Sequence, residues 1–178
     1  MRPDNNVWFT GIAVQSGQAG PFTQLGVIGR LSGDGTVAQF SIPTPNCLPH
    51  GITMGPDGNL WFTEIQANKI GRITTAGAIT EFVLPTADSQ PHDITAGPDG
   101  NLWFTEINAD KIGRITTDGL VTEFLLPTAG QQAGSGGSET GLPVTSVSQP
   151  YVITVGPDRN LWFTEANATR SGESRRKG

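Results

Sequence analysis

The chain has 178 residues, a formal net charge of −5, 24 Gly, 13 Pro and one cysteine. No lysine–arginine stripe precedes the last few residues, which argues against nucleic-acid binding, and the single thiol of Cys47 excludes an internal disulfide. No apolar run is long enough to span a bilayer and no signal peptide follows Met1, so the chain as it stands reads as soluble and, by default, cytoplasmic.

From the N-terminus, Arg2–Gly11 (RPDNNVWFTG) is a decayed copy of a stretch that appears intact as Gly55–Glu64 (GPDGNLWFTE), recurs unchanged as Gly97–Glu106, and returns as Gly156–Glu165 with Arg159 in place of the glycine. All four tryptophans, Trp8, Trp61, Trp103 and Trp162, hold the same place in these copies. Pro56-Asp57-Gly58 is turn chemistry: Pro presets φ, Asp caps the turn and Gly supplies φ > 0. Leu60-Trp61-Phe62-Thr63 is rich in strand formers, with Gly51–Met54 as its hairpin partner. The repeat period is 42 residues, as Pro49-His50 and Pro91-His92 show. Each full unit offers four strands, A to D. They fall at 50–54, 60–64, 69–74 and 79–84, then at 92–96, 102–106, 111–116 and 121–126.

Four strands in a unit of about 40–45 residues predict an all-β fold of antiparallel β-propeller blades. The first unit enters at strand B (Val7–Gly11) and continues with C (Val27–Ser32) and D (Val37–Ile42). The last has only A (Tyr151–Val155) and B (Leu161–Glu165). The units are 1–45, 46–87, 88–149 and 150–168, with a polar tail, 169–178, expected to be disordered. Thirteen strands make about three and a quarter blades, an open fan. Two insertions break the period, Ile12–Val27 in a B–C connection and Ala133–Gln149 in a D–A connection; the second contains a Gly/Ser linker. In an up-and-down meander both lie on one face, opposite the Pro-Asp-Gly turns.

His50 and His92 begin strand A of successive units. Counting outward from a Gly55–Asn59 pair sets His50 opposite Glu64 and His92 opposite Glu106, close enough to interact. A His–Glu pair can hold a divalent metal or act as an oriented base. Against this, polar residues at blade rims are ordinary, and function has to be argued from the site rather than the fold. Lys69, Arg72 and Glu81, repeated as Lys111, Arg114 and Glu123, read as solvated outer-strand charges. Cys47 reads as a small buried residue rather than a nucleophile.

The run Pro-His-x-Ile-Thr-x-Gly-Pro-Asp-Gly-Asn-Leu-Trp-Phe-Thr-Glu, followed by Asn/Asp-Lys-Ile-Gly-Arg-Ile-Thr, resembles the blade repeat of the virginiamycin B (streptogramin) lyases over almost all of residues 2–168. The resemblance implies a seven-bladed propeller and a magnesium-dependent elimination that opens the ester of a cyclic depsipeptide antibiotic, an antibiotic-resistance activity. It implies His92 as base with Glu106 orienting it, a metal held near His50 and Glu106, and a further metal-ligand position at Gln90; the strand count adds the His50–Glu64 pair as a metal candidate. Gln90 stands where the family has a glutamate, a poorer magnesium ligand. The alternative is a non-catalytic propeller offering its looped face to a ligand or partner. Thirteen strands cannot close a ring, so the expectation is a truncated member, inactive alone and prone to self-association through open edges.

Overall fold

The computed structural model describes residues 4–15, 23–126 and 148–166. Among these, thirteen strands form: β1 (Val7–Gln15), β2 (Thr23–Leu31), β3 (Val37–Ser41), β4 (Pro49–Met54), β5 (Leu60–Glu64), β6 (Lys69–Ile73), β7 (Ile79–Val83), β8 (Pro91–Ala96), β9 (Leu102–Glu106), β10 (Lys111–Ile115), β11 (Val121–Leu125), β12 (Pro150–Val155) and β13 (Leu161–Glu165). They assemble into four antiparallel meanders, β1-β2-β3, β4-β5-β6-β7, β8-β9-β10-β11 and β12-β13, here called blades 1 to 4. Blade 1 lacks strand A and blade 4 lacks C and D, so the described residues form an open, partial propeller. The tail 169–178 and residues 133–147 of the second insertion lie outside the described residues.

The A–B turn forms for the reasons its residues suggest. Gly55 and Asn59 close the hairpin (N–H to O, 2.8 Å), and Gly58 takes φ 75°, a left-handed conformation that glycine reaches without steric cost. Asp57 Oδ1 accepts from Asn59 N at 3.2 Å and from the Trp61 indole at 3.0 Å. The turn therefore fixes the tryptophan four residues on. In blade 4, Arg159 takes the left-handed place at φ 62°, and the same Asp–Trp bond survives (Asp158 to Trp162, 3.2 Å).

Successive residues of a B strand point to opposite faces. Trp61 turns toward blade 3 and packs with Ile94, Leu102, Phe104 and Ile115. Phe62 turns toward blade 1 and packs with Ile28, Ile42 and Cys47. The core is thus a series of blade-to-blade layers.

Three expectations need correction. First, the Ile12–Val27 insertion is not a plain loop. It lengthens the hairpin, pairing Ile12 with Gly26 through to Gln15 with Thr23, because Ile12, Ala13 and Val14 continue the strand-forming run. This extension leaves from the strand ends that carry His50 and Glu64, the face expected for it. Second, the repeated charges are not solvated. Lys111 Nζ lies 2.7 Å from Glu123, with side chains 24% and 9% exposed. The Arg72 guanidinium lies 5.5 Å and 5.6 Å from the Trp61 and Phe82 rings, and donates to Thr117 O of the next blade at 3.0 Å. These charges join blades.

The third correction is the A–B register. Met54, Thr53 and Ile52 pair with Leu60, Trp61 and Phe62 as counted, but the register then shifts and Pro49, not His50, faces Glu64. Pro91, not His92, likewise faces Glu106. The cause is a β-bulge, an extra residue that re-aims the side chains beyond it.

Candidate functional site

The bulge is held by a threonine. Thr63 Oγ1 accepts from Gly51 N at 2.9 Å and donates to His92 O of the next blade at 2.8 Å. Thr105 does the same with Asp93 N (3.1 Å) and Tyr151 O (3.1 Å), and Thr10 donates to His50 O at 2.8 Å. Both Thr63 and Thr105 are fully buried. One hydroxyl thus meets a backbone donor left by the bulge and a carbonyl of the neighbouring blade, and fixes both A strands at the place where the histidines stand. Sequence reasoning missed these threonines; the signal was their strict recurrence inside the Trp-Phe-Thr-Glu run.

So aimed, the A-strand residues stack. His50 and His92 have ring centroids 3.9 Å apart, and His92 and Tyr151 are 4.0 Å apart, each pair tilted by 35°. His50 Nδ1 lies 3.2 Å from His92 O, and His92 Nδ1 lies 3.2 Å from Tyr151 O. A carbonyl only accepts, so Nδ1 carries the hydrogen in each ring and Nε2 keeps its lone pair. Burial lowers the pKa of His92, and the neighbouring His50 adds to the effect; both favour the neutral imidazole that a base requires. Tyr151, the third member of the row, was legible only as a departure from the Pro-His pattern.

The glutamates belong to a different environment. Glu64 and Glu106 are fully buried, and their carboxylate oxygens have no hydrogen-bond partner of ordinary geometry. Burial, then the Glu81 carboxylate, pushes Glu64 up to about 8. Burial, then Glu123, pushes Glu106 up to about 7. The other groups bearing on them are Lys69 and the Cys47 thiol for Glu64, and Ser89 and Lys111 for Glu106. No histidine is among them. Burial, helped by Glu64, pushes the Cys47 thiol up to about 12, which leaves it an inert packing group. What orients His92 here is the Tyr151 carbonyl.

The set His50, Glu64 and Gln90 does not suit a magnesium ion. Among the described residues no group of three or more His, Cys, Asp or Glu side chains is placed to hold a metal. Glu64 is sealed beside Glu81, and Gln90 supplies at most a neutral oxygen where a hard cation favours carboxylate. Gln90 also sits in a left-handed conformation, φ 54°, with its carbonyl accepting from Ile107 N at 3.3 Å.

Among the described residues no helix is long and apolar enough to cross a membrane. Comparison with curated proteins returns no match. Among solved structures, a streptogramin B lyase superposes with TM-score 0.68 at 38% identity, covering 87% of this chain and 48% of its own. Selenomethionine-substituted virginiamycin B lyase from Staphylococcus aureus superposes with TM-score 0.68 at 41% identity and the same coverage. A catalytically inactive variant of the Staphylococcus aureus enzyme, a histidine replaced by alanine, with quinupristin, gives TM-score 0.67 at 34% identity, covering 89% of this chain and 54% of that one. The chain thus spans about half the length of the lyases it matches. The Virginiamycin B lyase family model matches residues 1–138, and the chain belongs to that family.

Proposed function

We propose that the row His50–His92–Tyr151 is the working part of a lyase site that opens the ester of a cyclic depsipeptide of the streptogramin B type. The supporting observation is the His92 ring: stacked on both sides, held at Nδ1 by a backbone carbonyl 3.2 Å away, and left with a free lone pair at Nε2. A fixed neutral imidazole is suited to taking a proton from a carbon next to a carbonyl. The C–H electron pair then forms a carbon–carbon double bond to the adjacent carbon, and the ester carboxylate departs from that carbon. The ring opens with no water consumed. His50 and Tyr151 hold His92 by stacking and desolvate it. Among the described residues no donor set fits the magnesium implied by the family, so no step is assigned to it, and Glu106 is assigned no contact with His92.

The second reading, a non-catalytic binding module, is favoured by Gln90 in the place of a carboxylate. Incubating quinupristin with this chain, and with any longer protein containing it, separates the two. Elimination gives a ring-opened isomer of unchanged mass, whereas hydrolysis gives a product one water heavier. His92→Ala should lower the rate at least about 100-fold with the β-sheet circular dichroism unchanged. No turnover in either protein would leave the binding module.

A further inference from the structure

Two neighbouring residues of β8 grip β12 at two points. His92 Nδ1 reaches Tyr151 O at 3.2 Å, and Asp93 Oδ2 accepts from Ile153 N at 2.9 Å. Thr105 ties the two together on one hydroxyl, which accepts from Asp93 N and donates to Tyr151 O, each at 3.1 Å. Between the two points, Val152 N donates to Thr164 Oγ1 at 3.1 Å. The Tyr151 carbonyl thus stands at the head of a short span of backbone whose next two N–H groups are each bound by a side chain. The bond from Ile153 goes to a carboxylate, the stronger class of acceptor for a backbone N–H.

Blade 2 lacks the second point. Its His50 Nδ1 also lies 3.2 Å from a carbonyl of the next blade, His92 O, and Thr63 joins Gly51 N and His92 O just as Thr105 joins Asp93 N and Tyr151 O. But the residue after His50 is Gly51, which has no side chain to offer Ile94, the counterpart of Ile153. A Cβ there would meet His92 O and Asp93 Cα at 3.0 Å. Both imidazoles are therefore held by a carbonyl of the neighbouring A strand. In blade 3 alone of these two, a side chain also clamps the strand that carries the carbonyl.

We propose that Asp93 is a positioning residue for His92: its hydrogen bond to Ile153 N holds β12 so that the Tyr151 carbonyl stays on the imidazole Nδ1. This rests on the reading of His92 as the base, because a hydrogen fixed at Nδ1 is what leaves Nε2 free to take a proton. Asp93 acts through β12 and the Tyr151 carbonyl. Without its carboxylate, that carbonyl is left to the Thr105 hydroxyl, and the ring is free to carry its hydrogen on either nitrogen.

Proton–nitrogen correlation spectra of the imidazoles tell the two tautomers apart, and recording them on the full chain, at a pH where both rings are neutral, tests this. In the parent chain His92 should hold its hydrogen at Nδ1. Asp93→Ala should turn His92 into a mixture of tautomers, with His50 and the β-sheet circular dichroism as before. Asp93→Leu, which keeps bulk but accepts nothing, should act as the alanine variant does and serves if that variant unfolds. Asp93→Asn, whose amide oxygen can accept the same N–H, should restore the parent spectrum. If quinupristin is opened, Asp93→Ala should lower kcat about tenfold or more with KM little changed, and Asp93→Asn should recover it. The spectra need no turnover, so failure of the lyase reading and failure of the clamp are told apart. A His92 tautomer untouched by Asp93→Ala and Asp93→Leu would overturn the proposal. An asparagine variant that behaves like the alanine one would also overturn it, and would assign the effect to charge. Mixed tautomers at His50 as well as His92 would overturn it in favour of a general loosening of the blades.

Discussion

The stretch Leu-Trp-Phe-Thr-Glu occurs in blade 2 and in blade 4 with the same letters and different surroundings. In blade 2 all five residues are buried; in blade 4 none is, and Trp162 is 58% exposed where Trp61 is fully buried. The local structure is the same in both: a turn with a left-handed residue, an Asp–Trp bond and a short B strand. What differs is the blade on either side. A propeller repeat therefore writes its hairpin locally and gains its core only from its neighbours, as expected where each unit cannot bury its own apolar faces. The largest test of this difference is truncation of the two tryptophans. Trp61→Ala should cost about 3–5 kcal/mol, and Trp162→Ala less than about 1 kcal/mol, read as shifts in urea midpoint at constant m-value. Equal costs would show that blade 4 is covered in solution.

The glycine turns repeat the comparison at the blade edge. Gly77→Ala should cost about 2–3 kcal/mol, since the new methyl meets both the left-handed strain and the Phe40 ring. Gly35→Ala has open space and should cost only about 1 kcal/mol, the strain alone. If Gly35→Ala proved as costly as Gly77→Ala, a neighbour would already be seated on blade 1.

The strands and their order were legible because hairpin chemistry is local: Pro-Asp-Gly, the Trp-Phe-Thr run and the 42-residue period place all thirteen strands to within a few residues. The proximity of His50 and His92 was legible for the same reason, as equal positions in adjacent units. The His–Glu pairing was not, because counting outward from a turn assumes an unbroken ladder. The break goes with a threonine hydroxyl that accepts a backbone N–H across the hairpin, Gly51 N to Thr63 at 2.9 Å and Val152 N to Thr164 at 3.1 Å, a hydrogen bond that counting residues does not display. The repeated Lys, Arg and Glu were misread on the same ground: Arg72 and Thr117 lie 45 residues apart.

The buried glutamate gives the smallest effect, and one with a direction. Glu64 has its pKa raised by burial and by Glu81, from the ordinary 4.5 to about 8. Between these values the folded chain holds a proton that the unfolded chain has released, so stability falls as pH rises. The contribution is fully present below about 4.5 and is lost by the time the pH has passed about 8. Glu106 acts in the same direction, up to about 7. For Glu81, burial is outweighed by its bonds to Thr44, Glu64 and Lys69, so its pKa is lowered and its effect falls below the ordinary carboxylate value, outside this window. Glu64→Gln fills the same space without a charge to desolvate. It should gain on the order of 1–2 kcal/mol over the parent chain near pH 8, and lessen the pH slope without abolishing it, because Glu106 remains. Urea midpoints taken at intervals from about pH 5 to pH 8 distinguish the variant from the parent chain. A slope that Glu64→Gln leaves unchanged would mean that the interior of blade 2 is wet at that position, and that its contrast with blade 4 is one of packing alone.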